Sequence, residues 1–242
     1  MRKLLLLDYD HTFYPPSMTT LRAVDDRINL YIEKQLGFAP QEADVIRRRL
    51  YDEYGSTLKG LELHHGVDRD HYCDFIHAIA EGDLPHPDPA LRGWLRRLPH
   101  PFYLFTNARS DWAVRGIRAM GLEAILPHAA GARHAADGAL PRLGGIFDIA
   151  FMDWLGKPHP EAYAKVEGLL RSEHGDDIVI YFADDREDNL LAARERDWRT
   201  IWITPPVESP DGNGAEREAG PAAGLFHKVV ASLMDLDPDR LA

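Results

Sequence analysis

The stretch "KLLLLDYDHTFYPP", Lys3 to Pro16, decides how the rest of the chain is read. Four leucines run into two aspartates separated by one tyrosine, and two prolines follow. A continuous apolar run of this length is too short for a helix and reads as a strand buried on both faces. Strands of that kind belong to parallel sheets covered by helices. The carboxylates Asp8 and Asp10 then fall where the strand leaves the core.

Similar runs recur along the chain. "PFYLFTNA" (101–108), "IAFMDWLGKP" (149–158), "DIVIYFADD" (177–185) and "RTIWITPP" (199–206) are each read as strands with polar exits. Helical patterns lie between them. "SDWAVRGIRAMGL" (110–122) starts on Ser and Asp and stops at Gly121. "HPEAYAKVEGLLRSEHG" (159–175) has proline in its first turn and Gly175 after its end, and "EDNLLAARERDW" (187–198) has an apolar face. Alternating strands and helices predict an α/β fold, a doubly wound parallel sheet.

Residues 18–97 differ. "LRAVDDRINLYIEKQLG", "PQEADVIRRRLYDEYG", "HYCDFIHAI" and "DPALRGWLRRL" all carry helical periodicity, with no strand candidate among them. An inserted α-helical cap over 18–97 is expected, with an α/β core formed by 1–17 and 98–242. "RRR" (47–49) reads as a solvated helix face, and Cys73 as a core residue of an apolar helical stripe. The stretch 127–145 reads as a loop excursion, and 206–224, rich in Gly, Pro and Glu, as a mobile segment by composition.

Composition narrows the function. The 242 residues, 45% hydrophobic, can bury one good core, or a core and a smaller domain. A formal net charge of -11 argues against a nucleic-acid polymer or an anionic membrane as partner. No stretch approaches the roughly 20 apolar residues of a membrane helix. The apolar run after the basic start is too short for a signal peptide. The single cysteine excludes an intrachain disulfide and suits a reducing compartment. The expected location is cytoplasmic. Twelve histidines show no tight zinc-binding spacing.

Ligands of open α/β sheets bind beyond the carboxyl ends of the strands. There the proposed strands deliver Asp8, Asp10 and Thr12, then Thr106 and Asn107, then Lys157, then Asp184 and Asp185. Clustered carboxylates raise one another's pKa values, and a divalent cation relieves them. An all-oxygen set without a His or Cys pattern favours Mg²⁺. Carboxylates, a hard cation, a lysine and a hydroxyl suit phosphoryl transfer.

In order along the chain, "DYDHT", "LFTNA", "GKP" and "FADDREDN" resemble the four motifs of the haloacid dehalogenase-like hydrolase superfamily. The insert resembles that superfamily's C1-type cap. Within it, "YDEYGSTLKGLELHHGVDRDHYCDFIH" is similar to the cap of the pyrimidine 5′-nucleotidase subgroup, as are "KPHPEAY" and "DDREDNLLAA" elsewhere. The resemblance implies a Mg²⁺-dependent phosphomonoesterase whose partner is a small phosphorylated metabolite, a pyrimidine nucleotide. Asp8 would be the nucleophile and Asp10 the general acid and base. Thr106 and Lys157 would bind the transferring group, with Asn107 assigned to substrate. The metal would be held by Asp8, Asp10 through its carbonyl, and Asp185, with Asp184 as a water-mediated partner. Thr12 would support the loop. Tyr54, Thr57 and Lys59 of the cap would contact base and ribose. Asn189 departs from the acidic residue common in relatives.

The second aspartate of the first motif sets the resemblance apart from C–halogen chemistry, because a departing halide needs no proton. Alternatives are a sugar-phosphate phosphatase or phosphomutase on the same core, or a non-catalytic phosphoryl-binding signalling protein. A phospho-receiver places its acid pair after the first strand and its phospho-acceptor on a later one. That order differs from the one found here.

Overall fold

The computed structural model describes residues 1–16, 18–126, 140–204 and 224–238. Residues 127–139 of the expected excursion (127–145) and 206–223 of the expected mobile segment (206–224) lie outside the described residues. The chain divides into two compact units, Met1–Pro16 with His86–Ala242, and Ser17–Pro85. No helix among the described residues is long and apolar enough to cross a membrane.

The first unit is built on six parallel strands: β1 (Arg2–Leu7), β2 (Phe102–Phe105), β3 (Leu143–Phe147), β4 (Ile178–Asp184), β5 (Arg199–Ile203) and β6 (Lys228–Val230). Their order is β3-β2-β1-β4-β5-β6. The sheet is thus wound outward in both directions from β1, and the switch of direction lies beside that strand. This is the doubly wound α/β sheet expected. The helices in chain order are α1 (Met18–Leu36), α2 (Pro40–Tyr54), α3 (Thr57–His65), α4 (Arg69–Ile76), α5 (Pro89–Arg96), α6 (Ser110–Ala119), α7 (Pro160–His174) and α8 (Glu187–Arg194).

The leucine run behaves as its pattern demands. Leu4 to Leu7 are all fully buried because β1 has a strand on each side and helices on both faces. Under it, Phe105, Tyr163, Phe182 and Trp198 pack with ring centroids 5.1–6.2 Å apart. Burying each such side chain contributes about 1.5–3 kcal/mol, so this aromatic block is the firmest part of the floor beneath the strand ends.

Three expectations change. The third strand is Leu143–Phe147, starting in the last residues of the stretch read as loop (127–145), and not in 149–158. Asp153 and Trp154 adopt φ of 55° and 63°, which no strand accommodates. Of the Gly144-Gly145 pair that looked like a loop signal, Gly144 is a packing requirement. A Cβ at Gly144 would lie 2.4 Å from the Tyr103 ring on the neighbouring strand. Second, α5 belongs to the first unit rather than to the insert, which ends at Pro85. Its Trp94 Nε1 donates to the Leu236 carbonyl at 2.9 Å, and Arg92 reaches the Gly121 carbonyl. Third, the short strand β6 extends the sheet beyond β5.

The second unit consists of α1 to α4. Its Gly55 and Gly66 end α2 and α3 in the left-handed conformation. Ser56 caps α3, whose Gly60 lies against Leu50 with no room for a Cβ. Cys73 is buried, as expected. Arg47 is not part of a solvated face. Its guanidinium bonds Asp25 and Asn29 of α1 and Asp44 of α2, at 2.8–3.1 Å.

In the first unit, Glu167 of α7 joins two helices. It accepts from Arg171 one turn on, at 2.7 and 2.9 Å, and from Arg196 beyond α8 at 2.7 Å. Burial alone would raise its carboxyl, but the hydrogen bonds from Arg171 and Arg196 outweigh burial and hold it below the ordinary 4.5. A carboxylate with a depressed folded pKa stabilises the fold above its unfolded value and loses that contribution as pH falls through the folded one. Glu167→Gln should cost about 1.5–3 kcal/mol at neutral pH in urea unfolding. The gap to wild type should close as the pH falls below that ordinary value.

Candidate active site

Each strand that ends near the switch point contributes a polar residue. Asp8 follows β1, and its N–H donates to the Ala183 carbonyl at 2.9 Å, which fixes it against β4. The chain then coils through Tyr9–Phe13, a tight turn in which His11 takes a φ of 63°. Thr106 follows β2 and is tied to β3 by its N–H on the Phe147 carbonyl at 3.0 Å. Asp184 is the last residue of β4.

Lys157 lies on the loop after β3, and Asn107 holds that loop in place. The Asn107 side chain accepts from the Lys157 N–H at 2.7 Å and donates to its carbonyl at 2.8 Å. Both ends of the amide are therefore used on the lysine's own backbone. Asn107 is exposed and braces the Lys157 loop through these two bonds. The Lys157-Pro158 peptide is cis.

The Lys157 ammonium is buried between two carboxylates. It donates to Asp8 Oδ1 at 2.7 Å and to Asp184 Oδ2 at 2.6 Å. The rings of Phe105 and Phe182 lie 5.2 Å from its Nζ. Asp184 also accepts from the Arg186 N–H at 2.8 Å and from Asn189 Nδ2 at 3.0 Å to each oxygen. It has no exposed surface. Asp185 is more open, with 26% of its side chain exposed and His11 Nδ1 3.8 Å away.

Carboxylate oxygens of Asp8, Asp184 and Asp185 lie within 4.8 Å of one another. Three carboxylates face one buried lysine. Burial pushes the Asp8 carboxyl well above its ordinary value; Lys157 opposes this, while Asp184 and Asp185 add to it. Asp184 is raised as well, by burial first, against Lys157 and with Asp185. Burial alone would lower Lys157, but Asp184 and Asp8 more than reverse that, so it stays an ammonium. The surplus is negative. The donors are hard oxygens, with no histidine or cysteine in the group. This set fits a hard divalent cation such as Mg²⁺.

Asp10 stands apart from that group. Its Oδ1 accepts from the Tyr14 hydroxyl at 2.7 Å and from Trp112 Nε1 at 3.0 Å. Burial, then the nearby Asp10 carboxylate, pushes the Tyr14 phenol well above its ordinary value, so it stays a donor. Thr106 is buried, and its hydroxyl oxygen accepts from the Ala108 N–H at 3.0 Å, which leaves its proton for another partner. Thr12 Oγ1 and Asn189 Oδ1 are buried without hydrogen-bond partners.

Tyr54, Thr57 and Lys59 lie in the second unit. The Tyr54 hydroxyl meets Glu53 at 2.8 Å and His64 Nε2 at 2.7 Å, and Lys59 Nζ is 3.8 Å from Glu62. Thr57 is buried, with its hydroxyl on the Arg47 carbonyl at 3.3 Å. That bond uses its only donor inside the unit.

Two further residues were missed by pattern reading. Trp112 sits in the first turn of a helix whose apolar stripe explains it without any function. Asp148, after β3, accepts from Ser110 N–H and Phe151 N–H, both at 2.8 Å. It ties the start of α6 to the loop that leads to Lys157.

A doubly wound sheet with acidic strand ends around one buried lysine is the class that fold and site define. No family model matches the sequence. The chain is 25% identical over 203 residues to Phosphate metabolism protein 8 of Saccharomyces cerevisiae, covering 79% of this chain and 58% of that protein. Among solved structures, it superposes on L-2-haloacid dehalogenase from Xanthobacter autotrophicus with a TM-score of 0.53 at 16% identity, across 100% of both chains. A haloacid dehalogenase-like hydrolase from Bacteroides fragilis gives 0.56 at 11% identity, over 98% of this chain and 100% of that one. The chain has the fold of these haloacid dehalogenase-like hydrolases.

Removing one partner of a buried ion cluster leaves uncompensated charge and costs about 3–5 kcal/mol. Lys157→Met should lose that much in metal-free urea unfolding, and saturating Mg²⁺ should return part of it. A loss below 1 kcal/mol, or one indifferent to Mg²⁺, would contradict the charge balance described.

Proposed function

We propose that this protein is a Mg²⁺-dependent phosphomonoesterase that works through an aspartyl-phosphate on Asp8, with pyrimidine nucleoside 5′-monophosphates as substrates. The observation that carries the reading is the pairing of two unlike carboxylates on one turn. Asp8 is gripped by the Lys157 ammonium at 2.7 Å, and Asp10 is held separately by neutral donors.

Asp8 attacks phosphorus, forming an O–P bond as the bond to the leaving oxygen breaks. Asp10 gives its proton to that oxygen, then takes one from the water that opens the aspartyl-phosphate. Lys157 neutralises charge on Asp8 and on the phosphoryl oxygens. The Thr106 hydroxyl has its proton available for one of those oxygens. Asp8, Asp185 and the Asp10 carbonyl would hold the cation, with Asp184 behind them. When bound, the cation supplies the positive charge that lets an anionic substrate approach an acidic site.

Several features support a phosphate ester over a haloacid. A halide leaves without a proton, so Asp10 would have no task. The name of the yeast relative, Phosphate metabolism protein 8, agrees with phosphate chemistry, although this chain spans 58% of its length. The pyrimidine assignment rests on the resemblance of the insert segment that begins at Tyr51. A cytoplasmic location follows from the same reading, because nucleoside monophosphates are intracellular metabolites.

Phosphate release from UMP, CMP, AMP and sugar phosphates should be measured with Mg²⁺ and with chelator, for wild type and Asp8→Asn. Release should require both Mg²⁺ and Asp8 and be fastest for UMP or CMP. Asp8→Asn should lose at least about 10³-fold, the scale expected when a covalent nucleophile is removed. Faster release from a sugar phosphate would overturn the nucleotide assignment and keep the chemistry. Chloride release from a 2-chloro acid with none from phosphate esters would overturn both.

A further inference from the structure

We propose that Tyr14 and Trp112 are positioning residues that confine the transferable proton of Asp10 to a single oxygen, Oδ2. This rests on the phosphomonoesterase reading above and adds to it the two side chains that fix which oxygen of Asp10 carries the proton.

Both donors converge on the same atom. Tyr14 Oη lies 2.7 Å from Asp10 Oδ1 and Trp112 Nε1 lies 3.0 Å from it. An indole N–H can only donate. An oxygen that accepts two such bonds cannot also carry a proton without losing one of them. Among the described residues, Oδ2 receives no hydrogen-bond donor, so it is the oxygen left to carry and release the proton.

The two donors reach Asp10 by different routes. Tyr14 is four residues on, returned by the turn in which His11 holds a φ of 63°. Tyr14 is buried and packs edge-on against Tyr9 at 5.2 Å. Trp112 is also buried and arrives from the first turn of α6, six residues after Thr106. Asp148 pins that turn through the Ser110 N–H. Thus one segment sets both the Thr106 hydroxyl and the Asp10 carboxyl. A rotating carboxyl would present its proton to the leaving oxygen only part of the time. Clamping Oδ1 turns that into a fixed orientation, which is how positioning lowers a barrier.

The proton balance closes over one turnover. Oδ2–H protonates the leaving alkoxide as its bond to phosphorus breaks and the Asp8–phosphorus bond forms. In the second step Oδ2 takes a proton from water as the water oxygen bonds phosphorus and the Asp8 bond breaks. Oδ1 keeps both hydrogen bonds throughout.

A role in acid catalysis differs from a structural role in its dependence on the leaving group. An alkoxide needs a proton to depart, whereas p-nitrophenolate does not. kcat/KM should be measured on UMP and on p-nitrophenyl phosphate for wild type, Asp10→Asn, Trp112→Phe, Tyr14→Phe and the double variant. The ratio of UMP to p-nitrophenyl phosphate activity should fall about 10-fold in each single variant and more in the double. It should fall furthest in Asp10→Asn, within the roughly 10²–10⁴-fold attributed to general acid catalysis. Melting temperatures identify any variant that fails to fold. If Trp112→Phe does, Tyr14→Phe, which removes one oxygen, decides alone. Equal losses on both substrates, or none, would overturn the positioning role even if Asp10→Asn shows the leaving-group effect. A wild type silent on both esters would overturn the phosphomonoesterase reading, and this inference with it.

Discussion

The Lys157 ammonium, buried between Asp8 and Asp184, is the interaction on which the rest of the site depends. It joins the ends of β1 and β4 at 2.7 and 2.6 Å. A buried charge is tolerated only when paired and hydrogen-bonded, so the surrounding structure is arranged to deliver it. Asn107 grips its backbone from the end of β2. Phe105 and Phe182 floor it from below. Asn189 and the Arg186 N–H fill the remaining lone pairs of Asp184. The lysine cannot balance every anion it faces, and this deficit suits the site to a hard cation.

Two carboxylates two residues apart sit in different electrostatic settings. Asp8 belongs to the buried ionic group and is pushed up by burial. Asp10 is held by a phenol and an indole, neutral donors on one oxygen. The turn through Tyr9–Phe13 separates them. A β-strand would have placed residues 8 and 10 on the same face in the same surroundings. Leaving the strand after Asp8 is what lets one short segment hold two carboxylates in such different surroundings.

Much of this was visible in the residue pattern, for identifiable reasons. β1 and β4 announce themselves because central parallel strands must be apolar on both faces, and their polar exits mark the ligand side. The order Asp8, Thr106, Lys157, Asp184 is linear in sequence and convergent in space because the sheet switches direction beside β1. β3 was hidden because Gly144 answers to the Tyr103 ring, a contact no local pattern contains. α3 was hidden by Gly60, which answers to Leu50 in the same way. Trp112 and Asp148 look like an ordinary core residue and an ordinary turn residue until their partners are seen. Asn107 was read by its motif as a substrate contact; its brace on the lysine's backbone is a contact no local pattern contains. The superfamily fold also accommodates a dehalogenase, so fold alone does not choose the chemistry.

The most direct measurement is the chemical state of Asp8 during turnover. Wild type and Asp10→Asn would be mixed with UMP and Mg²⁺, quenched in acid within the first turnover and digested, and the peptide containing Asp8 weighed. The peptide should gain the mass of one phosphoryl group on Asp8, and the adduct should persist longer in Asp10→Asn, where the base for hydrolysis is missing. UMP hydrolysed at full rate with no adduct on Asp8 at any quench time, or an adduct on another residue, would contradict the assignment of Asp8 as nucleophile and with it the reading of the site.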